Sequence, residues 1–147
     1  MTSKVGPGRF FEDLSLGMEA SLARTVKAPD IDDFARVSGD VNPVHLDEAY
    51  AATTPFKRRI AHGILTASYI SAVLGTRLPG PGCIYVSQTL LFRAPVYVGN
   101  EVIATAKIID LIKEKRRAIF HCDCKIGDKA VLEGEAVLMV PSRAPKK

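Results

Sequence analysis

Asp40 and His45 stand five residues apart in the run Ser38-Gly39-Asp40-Val41-Asn42-Pro43-Val44-His45. A carboxyl group and an imidazole held together can pass a proton to and from a reacting molecule, one as base and the other as its partner. Pro43 disfavours helical geometry at Asn42, so the run is expected to be a turn or extended loop, with Asn42 orienting it. Other roles fit the same residue types. Asp40 after Gly39 could be a turn residue, and His45 a satisfied core histidine. His62 competes as the imidazole and is read as structural. A metal site of Asp40, His45 and His62 has no familiar zinc spacing, so no metal is expected.

Two short helices are expected to hold this loop. The first runs from about Ile31 to Ser38, with Ile31, Phe34, Ala35 and Ser38 on one face and Asp30 as its N-cap. The second starts near Asp47, carries Ala49, Tyr50 and Ala52, and stops before Pro55. Gly63–Leu78 then reads as a helix apolar nearly all round, which must be enclosed on most sides. It ends in Pro79-Gly80-Pro81-Gly82, a stop followed by a turn.

Strand patterning takes over after that turn. Glu19–Lys27 is a weak first strand, and Cys83–Ala94 is rich in β-formers. Gly99–Lys113 places Val102, Ala104, Ala106 and Ile108 on one face. Arg116–Ile126 sets Ala118, Phe120, Cys122, Cys124 and Ile126 against Ile119, His121, Asp123 and Lys125. Gly127-Asp128 is a two-residue hairpin turn into Lys129–Val140. Long strands joined by hairpins make an antiparallel sheet with one buried face. A sheet of that length curling round one apolar helix is an α+β, hot-dog arrangement.

At 147 residues the chain is one domain, expected over residues 10–141 between a loose arm at 1–9 and a basic tail at 142–147. Neither a signal-peptide pattern nor an apolar run of membrane-spanning length is present, so a cytoplasmic, non-membrane protein is expected. Cys83, Cys122 and Cys124 have neither zinc-knuckle nor redox spacing and read as buried thiols. The net charge of +4 comes from clusters at Lys57-Arg58-Arg59, Lys113–Arg117 and the tail. Such clusters are usually solvated surface, or else attract an anionic ligand. With no Trp and 7% aromatics, nucleic acid is not an expected partner.

The run Phe34-Ala35-x-x-Ser38-Gly39-Asp40-x-Asn42-Pro43-x-His45-x-Asp47 resembles the hydratase motif of the MaoC-like hot-dog family. Ala51-Ala52-Thr53-Thr54-Pro55-Phe56, Ala61-His62-Gly63-Ile64-Leu65, Leu78-Pro79-Gly80 and Phe92-x-x-Pro95-Val96 extend the likeness over about Phe10 to Val140. It is strongest to the single-domain R-specific enoyl-CoA hydratases of the PhaJ type. The resemblance implies syn hydration of a trans-2-enoyl-CoA to the (R)-3-hydroxyacyl thioester, without cofactor, by a homodimer. Asp40 and His45 would handle the water and its proton, and the Gly63 N–H at a helix start would meet the thioester oxygen. Ser71, Leu74 and Val137 would line the floor of the acyl pocket and limit it to short chains. On the same scaffold, dehydration of a 3-hydroxyacyl group on acyl carrier protein or of a branched or dicarboxylic CoA thioester remains open. So do an acyl-CoA thioesterase and a non-catalytic thioester-binding module.

Overall fold

The computed structural model describes residues 5–144. After a 3-10 turn at Phe11–Asp13 come β1 (Glu19–Thr25), α1 (Ala28–Ser38), α2 (Pro43–Leu46), α3 (Glu48–Ala52) and α4 (Gly63–Thr76). The chain continues through β2 (Ile84–Gln88), β3 (Leu91–Phe92), β4 (Glu101–Ile112), β5 (Arg117–Ile126) and β6 (Lys129–Met139). All strands pair antiparallel in one sheet ordered β1-β4-β5-β6-β2, with β3 also on β6.

Period-two patterning accounts for the sheet's inner face. Val102, Ala104, Ala106 and Ile108 on β4, and Ala118, Phe120, Cys122 and Cys124 on β5, are at most 1% exposed. Helix α4 packs on this face through Leu65, Tyr69, Ile70, Val73 and Leu74. The alanines leave room for the helix to settle close to the sheet. This is the expected hot-dog arrangement. Burial pushes the Cys122 and Cys124 thiols up to about 12, so they pack as small apolar groups rather than react.

Three local expectations need correction. Helix α1 starts a turn earlier than Ile31. Asp30 is therefore not the N-cap but the third helical residue, its carboxyl oxygen accepting the Lys27 N–H at 2.9 Å. Pro29 permits the earlier start, because the first turn of a helix does not use the N–H that proline lacks. The segment between α1 and α3 is not all loop. Pro43 bars helix at Asn42 yet opens α2 itself, so His45 rides on a helical turn. Finally, α4 is not enclosed on most sides within the single chain, six of its 14 residues being buried. Gly63, Ile64, Ser68 and Ser71 form an open stripe, and Ile64 is 54% exposed.

The first and last described segments are both tied down, in part to each other. The Arg9 N–H bonds the Pro79 carbonyl at 2.9 Å. The Arg143 guanidinium grips both Asp13 carboxyl oxygens at 2.9 Å and lies over the Phe10 ring. Residues 1–4 of the expected arm and 145–147 of the expected tail lie outside the described residues. Among the described residues, no helix is long and apolar enough to cross a membrane.

Candidate active site

A staircase of side-chain-to-backbone bonds shapes the segment that carries Asp40. Gly39, at φ +81°, ends α1 in the left-handed conformation that a side chain would strain. The Ser38 hydroxyl then accepts the Asp40 N–H at 3.0 Å, Asp40 Oδ1 accepts the Asn42 N–H at 3.2 Å, and Asn42 Oδ1 accepts the Val44 N–H at 3.2 Å. Short polar side chains at every second position make this geometry available. Asn42 is thus the N-cap of α2.

His45 is buried on α2, its Nδ1 2.8 Å from the Ile60 carbonyl oxygen. That oxygen only accepts, so Nδ1 carries the hydrogen and Nε2 of the neutral ring keeps a lone pair. His62 is oriented by the same logic, its Nε2 donating to the Asp40 carbonyl oxygen at 2.9 Å. The two imidazoles stack with centroids 3.9 Å apart, and Phe34 packs on His62 at 4.8 Å. Burial, above all, holds the His45 imidazole below its ordinary 6.5. The Ile60 bond opposes this, His62 adds to it, and Asp40 opposes it.

One polar atom each of Asp40, His45 and His62 lie within 4.8 Å of one another. Metal ligation is poorly served by this set. The carbonyl bonds to Nδ1 of His45 and Nε2 of His62 leave the second nitrogen of each ring available, but the rings stack with 28° between their planes, so those in-plane lone pairs run side by side, whereas tetrahedral ligation needs convergent ones. A proton-handling pair suits the geometry better.

His45 and Gly63 line one cavity of about 500 Å³ walled by Phe56, Phe92, Val131 and Leu132. Gly63 opens α4, where first-turn N–H groups have no intrahelical acceptor. A Cβ at Gly63 would come within 2.6 Å of Cε1 of Phe92, so glycine is what allows that ring to lie against the helix start. Ser71 faces a different cavity, of about 380 Å³, between α4 and β2. Leu74 lies in the core at 1% exposure, and Val137 is half-buried on β6 opposite Ser87 of β2. The structure therefore gathers Asp40, His45 and Gly63, and sets Ser71, Leu74 and Val137 farther along α4 and the sheet.

The charge pattern hid one further participant. Arg59, within a cluster expected to be solvated, has a side chain only 14% exposed. Its Nε bonds the His45 carbonyl at 2.6 Å and its guanidinium pairs with Asp32 of α1 at 2.8 Å. With Ile60 on Nδ1, this clamps α2 from both sides. Arg59→Met is expected to cost about 1.5–3 kcal/mol of stability, the range for a hydrogen bond to a charged group, with Arg59→Lys recovering part. Urea unfolding of the three proteins reads this, and equal midpoints would contradict the clamp.

Over residues 14–125 the sequence matches the MaoC like domain. The chain belongs to the MaoC-like family. Among relatives of this MaoC-like chain, the (R)-specific enoyl-CoA hydratase of Rhodospirillum rubrum is 54% identical over 134 residues, spanning 91% of this chain and 93% of the relative. The 3-hydroxybutyryl-CoA dehydratase of Methylorubrum extorquens is 52% identical over 134 residues, spanning 91% and 85%. The unliganded R-hydratase PhaJ1 of Pseudomonas aeruginosa is similar in structure, with a TM-score of 0.88 at 42% identity over 92% of this chain and 88% of that one.

Proposed function

We propose that this MaoC-like protein reversibly hydrates short trans-2-enoyl-CoA thioesters to (R)-3-hydroxyacyl-CoA. The observation that carries the reading is the His45 lone pair at Nε2, with Asp40 beside it and the Gly63 N–H on the same cavity. The hydratase and dehydratase named among the relatives catalyse what is formally one reaction in its two directions, and both names support it.

A water donates one O–H to Asp40 and the other to His45 Nε2. As its oxygen bonds C3, Asp40 takes the proton and the C2=C3 π electrons shift toward the thioester oxygen. The Gly63 N–H, with the positive end of α4 behind it, meets that charge. The proton then returns to C2 on the face the water came from, with His45 helping to deliver it, so the addition is syn. Losing one oxyanion donor of this kind typically costs ~2.7–4 kcal/mol.

We further propose that the acyl chain points from Gly63 along the open stripe of α4, with Ser71, and behind it Leu74 and Val137, at the far end of that direction. The pantetheine arm leaves past Arg93, half exposed at the rim of the His45 cavity. A second copy of the chain covers the exposed β2 edge, where Ile84, Tyr85 and Val86 are 59%, 41% and 40% exposed, an apolar strand edge that a lone protomer would leave open to aggregation. The free cysteines fit a reducing, cytoplasmic setting.

Loss of enoyl absorbance with crotonyl-CoA tests the activity. That activity is expected to survive exhaustive chelation, since the stacked rings present their remaining lone pairs side by side rather than toward one point. Activity lost to chelator and restored by zinc would overturn the metal-free mechanism. Release of free thiol from crotonyl-CoA would point instead to a thioesterase.

A further inference from the structure

Two cavities meet at one side chain. Among the described residues, Ile64 alone lines both the His45–Gly63 cavity and the Ser71 cavity against β2. It directly follows Gly63 and is 54% exposed, unusual for an isoleucine inside a fold whose neighbouring helix residue Leu65 is buried. From Ile64, the positions Ala67, Ser68 and Ser71 follow at helical spacing and line the second cavity. That row is about 10 Å long at 1.5 Å per residue. A thioester whose oxygen rests on the Gly63 N–H has its reacting carbons beside Ile64. On that placement the direct way from the reacting carbons to the second cavity leads past the Ile64 side chain, which lines both.

We propose that Ile64 is the partition between the two cavities and the residue that sets acyl-chain length. The inference rests on the hydratase reading above. A four-carbon chain ends at the partition. A longer chain must turn the isoleucine aside, and a β-branched side chain in a helix has one strongly preferred rotamer, so it yields poorly. The cavity beyond is walled by Phe34, Tyr85 and Val86 and would shelter the added methylenes once the passage is open.

Ile64→Ala and Ile64→Phe test this with opposite signs, and at an exposed position neither disturbs the core. The measurement is kcat/KM for trans-2-octenoyl-CoA divided by that for crotonyl-CoA. Ile64→Ala is expected to raise the ratio at least ~10-fold and Ile64→Phe to lower it at least ~10-fold, on the scale of one methylene gained or refused in an apolar pocket. Sedimentation velocity on each variant reports the assembly. A ratio unchanged in both variants overturns the proposal, as does an equal loss on both substrates, which would mark Ile64 as a subunit contact only. A wild-type protein inert toward crotonyl-CoA would defeat the hydratase reading instead. Calorimetric affinities for octanoyl- and butyryl-CoA on the same three proteins would then still read the partition, with the same signs expected and an unchanged ratio overturning it.

Discussion

Asp40→Asn is expected to turn over crotonyl-CoA at least ~10²-fold more slowly than the wild type, with KM and thermal midpoint close to normal. The substitution is chosen because it spares the architecture. An asparagine keeps a carbonyl oxygen to accept the Asn42 N–H, so the staircase from Ser38 to Val44 stands. What is lost is a group able to take the water's proton. Because that transfer belongs to the transition state, kcat and kcat/KM should fall together. Steady-state kinetics on the folded variant decide the matter. Near-normal turnover would remove Asp40 from the mechanism.

His45→Gln is the second large effect, again at least ~10²-fold in kcat, and it carries a pH signature that the Asp40 variant lacks. A glutamine amide can still donate to the Ile60 carbonyl but presents no ring nitrogen to the water. In the wild type, burial holds His45 below 6.5, so its neutral form persists to lower pH than a free imidazole would. The acid limb of activity should therefore be centred below 6.5. Stability follows the same group. In the unfolded chain His45 titrates near its ordinary value, so below about 6.5 the unfolded state binds more protons. The folded state consequently loses stability as pH falls from about 6.5 through the lower folded value, and regains none on further acidification from this group. His45→Gln should flatten that part of the profile. An acid limb of kcat/KM centred above 6.5, or one unchanged in the variant, would contradict the account.

Much of this fold is legible in residue order because alternation survives tertiary context. The inward residues of β4 and β5 are those that period-two counting selects, and α4 lies where an apolar segment without strand alternation stands. Asp40, His45 and Gly63 were legible through the motif, and the chain does bring them together. What the sequence hid was relational. Pro43 was visible as a helix breaker but not as the start of the turn that carries His45. Arg59 looked like its neighbours Lys57 and Arg58, and only its proximity to the His45 carbonyl and to Asp32 across the chain distinguishes it. Ile64 belonged to an apolar pattern that predicted enclosure. The open side of α4 depends on where β2 runs, which no local pattern records.

Chirality of the product tests the central claim most directly. Crotonyl-CoA is incubated with the native protein, the thioester is cleaved, and the 3-hydroxybutyrate is resolved on a chiral column. Addition of water from one face by the Asp40–His45 pair predicts a single enantiomer, which the likeness to (R)-specific enoyl-CoA hydratases makes R, formed by the wild type and sharply reduced in Asp40→Asn. An S or racemic product, or no hydration by the native protein, would contradict it.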